Sequence, residues 1–430
     1  MELFNLLSGE VGIALFGNTY DISLNWIGTL IRWLITGVGS VGVGIILFSI
    51  ILKVIVMPFD VYQRISMRKQ NLKMKENQAR MEKLQKQYAN DKDKYNQKVM
   101  EMYKESGISM FSSCLPLILS LVIFIVAINA FNAYSQYANV ENYNVLVDAY
   151  NAKVESVCKD LQDDDYGYRY DESQNVYFFD TDKIYAKDDV KTFVDTAIQA
   201  DENKTKETAI KEYFKNEGQK AVLEVYQAKV VKKTSFLWIK NIWATDASYK
   251  HPVLEFNEFK TEVERQNFQV GDKTTGFAGV AEFTNVYEED TYNTITAKLT
   301  VQKQQANGYY ILIVLSIGTI LLQQWISMRG QKEQQKYSSV DGQGASQQKM
   351  TMIIMTGMFA IFSFMYSSAF SIYMITSNVL SLISTIVINK LVDVVEAKKE
   401  AKALLEKYNK RFVGRTPSAT NAGDKNKKSK

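Results

Sequence analysis

The chain has 430 residues, 46% of them hydrophobic, a formal net charge of +4, two cysteines and one histidine. Cys114 and Cys158 fall in segments of different character, so a disulfide framework is not expected. A single histidine, His251, nearly excludes histidine-built metal sites and His-assisted nucleophiles, and no Walker-type phosphate loop occurs.

In chain order, the N-terminus is apolar but lacks the positive start of a secretory signal and an early cysteine for lipid attachment. Ser23 to Gly37 carries two tryptophans, one arginine and apolar residues clustered on one side. It reads as an interfacial helix, the alternative being an extension of the span that follows. Five segments are long and apolar enough to cross a hydrocarbon layer roughly 30 Å thick. They run from about Val41 to Phe59, Phe111 to Phe131 and Gly308 to Ile326, with two more inside the tract from Met350 to Val392. One helix over that last tract would be about 60 Å long, so it must fold back. The expected turn is Met365 to Phe370.

Between the first two spans, Val61–Gln87 and Lys92–Glu105 read as two antiparallel helices broken at "YANDKD". The long middle block reads as α+β. "TYNTITAKLTV" is expected as a strand, as is "NVYFFDTDKIY" less cleanly. A helix is expected from Asp189 to Val231, with a break near Asn216-Glu217-Gly218. The carboxylates of this block read as a solvated acidic surface rather than a catalytic set. The stretch from Arg411 to Lys430 reads as a disordered basic tail.

Charge sets the topology. Residues 58–110 hold 12 Lys/Arg against 7 acids, the tail after Leu391 holds 11 against 5, and residues 134–306 hold 21 against 30. Basic segments stay in the cytoplasm. Five spans, with the N-terminus and the acidic block outside and the C-terminus inside, satisfy every loop. The expected fold is therefore an all-α polytopic membrane protein. It has a five-helix core, a cytoplasmic helical hairpin and an α+β extracytoplasmic insertion. The parts are 1–40 (outer segment with the interfacial helix), spans at 41–59, 111–133, 307–327, 350–366 and 368–391, the hairpin at 60–110, the outer domain at 134–306, a cytoplasmic loop at 328–349 and the tail at 392–430.

Lys53 stands among isoleucines and valines, where a charge costs roughly 2.5–3.5 kcal/mol at mid-helix. Two readings stay open: its ammonium snorkels to the inner interface, or it faces a wet cavity. Ser49 lies one turn earlier on the same face. Every other span also brings polar groups: Ser120 and Asn129; Gln323 and Gln324; Thr356 and Ser363; Thr376, Ser377, Asn378 and Ser381. Single hydroxyls often bond only their own helix, but their presence in all spans points to a shared hydrated interior.

The order "SIILKVIVMPFD", charged hairpin, "YKESGISMFSSCLPLILSLVIFIVAI" resembles the YidC/Oxa/Alb membrane protein insertases. So do "TSFLWIKNIWATD", "ILLQQW", "QQKMTMIIM" and "IYMITSNVLSLISTIVIN". The resemblance covers about Ile45 to Phe131 and Ser235 to Leu391. The chain departs from the family pattern in having Lys53 in place of arginine. It also has Gly107-Ile108-Ser109-Met110 in place of Gly-x-x-Pro, Ser367 and Ala369 in place of proline and glycine, Met374 in place of tryptophan, and an insertion at about Ala138 to Lys233.

The resemblance implies a bacterial plasma-membrane insertase without enzymatic chemistry or cofactor. A groove closed outward and open to cytoplasm and lipid would be lined by Lys53, Ser49, Ser120, Gln323, Gln324, Tyr373, Thr376 and Asn378. Nascent membrane proteins and the bilayer are the implied partners. The ribosome, met through tail and hairpin, and the Sec translocon are further candidates; DNA is not. The rival readings are a transporter or channel using the same cavity, and a membrane-anchored sensor.

Overall fold

The computed structural model describes residues 9–107, 111–162, 164–330 and 343–413. It is mostly helical, with two small antiparallel sheets. Among the described residues, three helices are long and apolar enough to cross a membrane: Val41–Gln63, Ile311–Arg329 and Ser368–Leu391. Trp26–Val38 is a shorter apolar helix, and Thr356–Met365 is the apolar end of a 23-residue helix, Gln343–Met365.

Trp26–Val38 begins at Asn25, whose side chain accepts from Gly28 N–H, and ends at Gly39 in the left-handed conformation (φ 73°). A second helix starts afresh at Val41, so Trp26–Val38 is a separate element and not an extension of the span. The string Gly37-Val38-Gly39-Ser40-Val41-Gly42 spells GxGxxG, but it joins two helices with no strand before it. It therefore lacks the setting of a dinucleotide cradle.

Two helices are much longer than a bilayer is thick. Val41–Gln87 runs 47 residues, about 70 Å, through Pro58 and on into the first arm of the hairpin. Proline removes the hydrogen bond to the Val54 carbonyl without ending the helix. Asp91 caps the second arm, Lys92–Glu105, and the arms meet along Met74, Met81 and Met102. Phe111–Lys159 runs 49 residues without a break at Tyr134. Its first half enters the apolar bundle through Phe124, Ala127, Ile128 and Phe131. Its second half is the spine of the polar domain through Val140, Tyr143, Val147, Tyr150, Val154 and Cys158, a helical spacing of threes and fours.

The N-terminal segment belongs to that domain. Strand β1 (Glu10–Ala14) pairs with β4 (Val176–Asp180), which also pairs with β3 (Arg169–Asp171). Strand β2 (Asp21–Ile22) pairs with β5 (Asn267–Val270), which turns through Gly271 (φ 58°) into β6 (Lys273–Gly276). Val11 and Ile13 face the core and alternate with more exposed neighbours, as a half-buried strand requires.

Three sequence expectations change. "TYNTITAKLTV" is not a strand: Glu289–Ile295 and Thr300–Gln304 are helical. Its β-branched residues mimic a strand, yet the buried positions Tyr292, Ile295, Thr296 and Leu299 recur at i, i+3, i+4 and i+7. "NVYFFDTDKIY" splits into β4 and the helix Thr181–Tyr185, capped by Asp180. The helical tract breaks at Asp201–Thr205, between Asp188–Ala200 and Lys206–Val225, and not at Gly218. Gly218 is a packing notch: a Cβ there would meet the Tyr150 ring at 2.5 Å.

The last apolar tract breaks within "MYSSAF": one helix ends at Met365 and the next starts at Ser368. The latter continues to Val413, so the segment after Leu391 begins as helix; the expected disordered residues beyond Val413 lie outside the described ones.

Candidate functional site

An aromatic cluster fills the bundle at its domain end. Phe131 meets Phe48, Phe370 and Tyr373, with ring centroids 5.5, 6.4 and 5.2 Å apart. Phe124 packs on Phe359, Phe362 and Phe370. Tyr373 is therefore a buried member of this plug.

The polar groups named above fall around and below it. Ser49 is 1% exposed, and its hydroxyl donates to the Ile45 carbonyl at 2.8 Å, satisfied by its own helix. Lys53 is not a lone cation. Its Nζ donates to Asp60 Oδ2 at 2.6 Å, two helical turns toward the hairpin, and the two side chains are only 13% and 26% exposed. Residues i and i+7 share a face, so the long lysine stem leans along the helix to reach its partner. Asp60 is the residue that reading the sequence for a lone charge passes over. Its spacing of seven from Lys53 is the signal that was there.

The other polar residues tie helices together. Thr356 Oγ1 donates to Gln324 Oε1 at 2.7 Å. Ser316 and Ser363 hydroxyls lie 3.0 Å apart, and Asn378 Nδ2 donates to Thr319 Oγ1 at 3.3 Å. Gln323 and Thr376 are half-buried. The side chain of Ser120 lies outside the described residues.

A polar knot at the domain end was not anticipated. The loop Asn241–Ala247 caps two apolar helices at once. Asp246, fully buried, accepts from Tyr309 N–H at 2.7 Å and Leu312 N–H at 2.6 Å, at the start of Ile311–Gly330. Ser368 and Ala369 N–H groups, at the start of Ser368–Val413, donate to the carbonyls of Ala244 and Ile242. Asn307 Nδ2 donates to the Asn241 and Thr245 carbonyls, and its Oδ1 accepts from Asn241 N–H. Ser135 on the long spine donates to the Trp243 carbonyl at 2.6 Å. A carboxylate at a helix start satisfies orphan N–H groups and opposes the positive end of the helix dipole. Asp246 is 63 residues from Tyr309, so no local capping pattern announces it. The one hint is that Ile311 starts a helix without a capping residue beside it.

From this knot a hydrogen-bonded chain runs into the domain. Asn241 donates to Asn139 Oδ1 at 3.2 Å, and Asn139 donates to Glu262 Oε1 at 3.2 Å. Glu262 Oε2 is shut off from solvent with no partner. Burial pushes this carboxyl up to about 8; the Asn139 hydrogen bond pulls the other way, and neighbouring Glu258 adds to the rise.

The model of the family described as 60Kd inner membrane protein matches residues 33–397. A protein named membrane protein insertase YidC from Caldanaerobacter subterraneus subsp. tengcongensis is 37% identical over 98 residues, 23% of this chain and 46% of that relative. Proteins of the same name from Fusobacterium nucleatum (34% over 104 residues, 24% and 49%) and Clostridium tetani (41% over 86 residues, 20% and 37%) are also similar. The matched segments thus span less than half of each of these relatives. No solved structure matches. Since the family match takes in most of the sequence, from the helix Trp26–Val38 to the last long helix, the chain belongs to the 60Kd inner membrane protein family.

Proposed function

We propose that this chain is a membrane protein insertase of the bacterial plasma membrane, passing polar segments of nascent membrane proteins partway across the bilayer. The observation that carries the proposal is the partly buried Lys53–Asp60 pair inside the otherwise apolar stretch Val41–Gln63, on the hairpin side of the aromatic plug. Five helices form the core, with the basic hairpin in the cytoplasm and the acidic domain and N-terminal strands outside. The pairing of β1 and β2 with the domain supports a common side for both.

In this reading the plug closes the bundle outward, while Lys53, Gln323, Gln324, Thr376 and Asn378 keep the inner half wet. Ser49 and Tyr373 back that lining from within the packing. Asp60 is a resident counter-ion. An acidic client residue takes its place on Lys53, so the ammonium is never left unpaired in a low-dielectric setting. The client's polar stretch then travels only through the outer half, and its apolar helix slides into lipid. No bond is made or broken.

The test is insertion of a client with a short translocated tail into proteoliposomes bearing K53R, K53A, K53E or D60N. K53R should retain most activity, since it keeps the charge, and K53A and K53E should lose it several-fold. K53A performing like the native chain would remove the charge from the mechanism.

A further inference from the structure

The segment Ser235–Lys240 makes a tight reverse turn. Phe236 and Ile239 exchange both backbone hydrogen bonds, at 3.0 and 2.9 Å, leaving Leu237 and Trp238 at the tip. Leu237 sits in the left-handed region at φ 55°. A two-residue turn with positive φ at its first central position calls for glycine. The chain instead places a leucine there and leaves it 71% exposed.

Its neighbours say where it points. Phe236 lies against Gly42, at the first turn of the spanning helix Val41–Gln63, where any Cβ would meet its ring. Trp238 and Ile239 pack on the same apolar cluster as the spans. Leu237, between them, turns away from that cluster at the level where the helices emerge. Exposed Trp26 and Trp33 on the interfacial helix, and Tyr309 before Ile311, belong to the same outer end of the spans. Lys232, Lys233 and Lys240 flank the turn and are exposed.

We infer that Leu237, at the tip of this turn, is a lipid-anchoring peg that enters the headgroup region of the outer leaflet, with Lys232, Lys233 and Lys240 engaging anionic phospholipid. An apolar side chain in a strained turn is stabilised by leaving water, and a lysine fringe around an apolar tip fits a negatively charged bilayer surface. The peg pins the polar domain to the membrane beside the loop that caps two spanning helices. It rests on reading the apolar helices as membrane spans and is independent of insertase activity.

The test places single cysteines in the full chain carrying C114S and C158S, reconstituted in phosphatidylcholine vesicles with or without phosphatidylglycerol. Positions are L237C, Y170C on the domain surface, and I383C on an exposed face of a spanning helix. The readout is reaction with a charged, membrane-impermeant maleimide. L237C should react at least tenfold more slowly than Y170C, and more slowly still with phosphatidylglycerol. If I383C is protected while L237C reacts at the Y170C rate, the peg is overturned. If I383C also reacts freely, the bilayer assignment beneath it fails. Protection that ignores phosphatidylglycerol overturns the anionic partner. In the otherwise native chain, L237G should melt no lower in detergent, because glycine suits the turn, yet lower in vesicles. Equal shifts in both media would also overturn the peg.

Discussion

Replacing Asp246 with alanine tests whether the polar knot holds the ends of the helices that adjoin the polar domain. The carboxylate receives two short backbone bonds, from Tyr309 and Leu312, in a site with no solvent exposure. Hydrogen bonds to a charged acceptor contribute about 1.5–3 kcal/mol each, and a buried donor left without a partner costs a similar amount. D246A should therefore destabilise the chain by about 3–5 kcal/mol. D246N should cost roughly half as much by the same reckoning, because the amide oxygen keeps one bond while its NH2 faces the other N–H. Gly308 supplies an independent check. A Cβ there would lie 1.9 Å from Asp246 Oδ1, so G308A should expel the carboxylate and resemble D246A. The assay is reversible unfolding in mixed micelles by graded addition of dodecyl sulfate, followed by circular dichroism. A D246A loss below about 1 kcal/mol, the worth of an ordinary neutral hydrogen bond, would refute the capping role.

Three further outcomes follow from the same structure. G218A should destabilise the domain by about 1–2 kcal/mol in the same unfolding assay, because overpacking against Tyr150 outweighs alanine's gain in helix propensity of ~1 kcal/mol. The Glu262 carboxyl keeps its proton to about pH 8 in the native state but loses it near 4.5 when unfolded. The native state binds more protons across that interval, so stability falls as pH rises through it, by up to ~1.4 kcal/mol per pH unit, and levels off above. E262Q should flatten the profile between pH 5 and pH 8 in unfolding titrations, and an unchanged slope would assign the dependence elsewhere. K53D and D60K should each cost about 2 kcal/mol by juxtaposing like charges, and the double exchange should recover most of that stability; a double variant no better than either single would mean the pair is not coupled.

What the sequence discloses depends on how far a residue's partners lie along the chain. The hairpin, the turn within "MYSSAF" and the separation of Trp26–Val38 are local, written in helix formers, apolar runs and a left-handed glycine. β1 pairs with residues more than 160 positions later, and its five residues carry no sign of that partner. Composition changes along the long spine at the expected membrane surface, and so suggests a boundary there that the backbone does not have. Gly218 looks like a helix breaker until the ring of Tyr150 is laid against it. In the candidate site, residue types were legible and pairings were not. Lys53 announces a charge problem, but only coordinates reveal that Asp60 answers it.

If the chain acts as the proposed insertase, its interhelical bonds bear on how a bundle can be rigid and still offer polar groups to a client. A side-chain amide has a donor half and an acceptor half. Among the described residues, Gln324 uses its oxygen to receive Thr356, and Asn378 uses its nitrogen to reach Thr319. Each bond fixes the rotamer of its amide, so the opposite half points in a set direction without further ordering cost. One such amide presents a donor and the other an acceptor, the two functions that an extended peptide backbone seeks when it leaves water. Under the proposed insertase function, helix packing and client handling would draw on the same residues. Substituting either amide by leucine should therefore affect stability and insertion together, whereas changes at Lys53 that keep a positive charge should leave both in place.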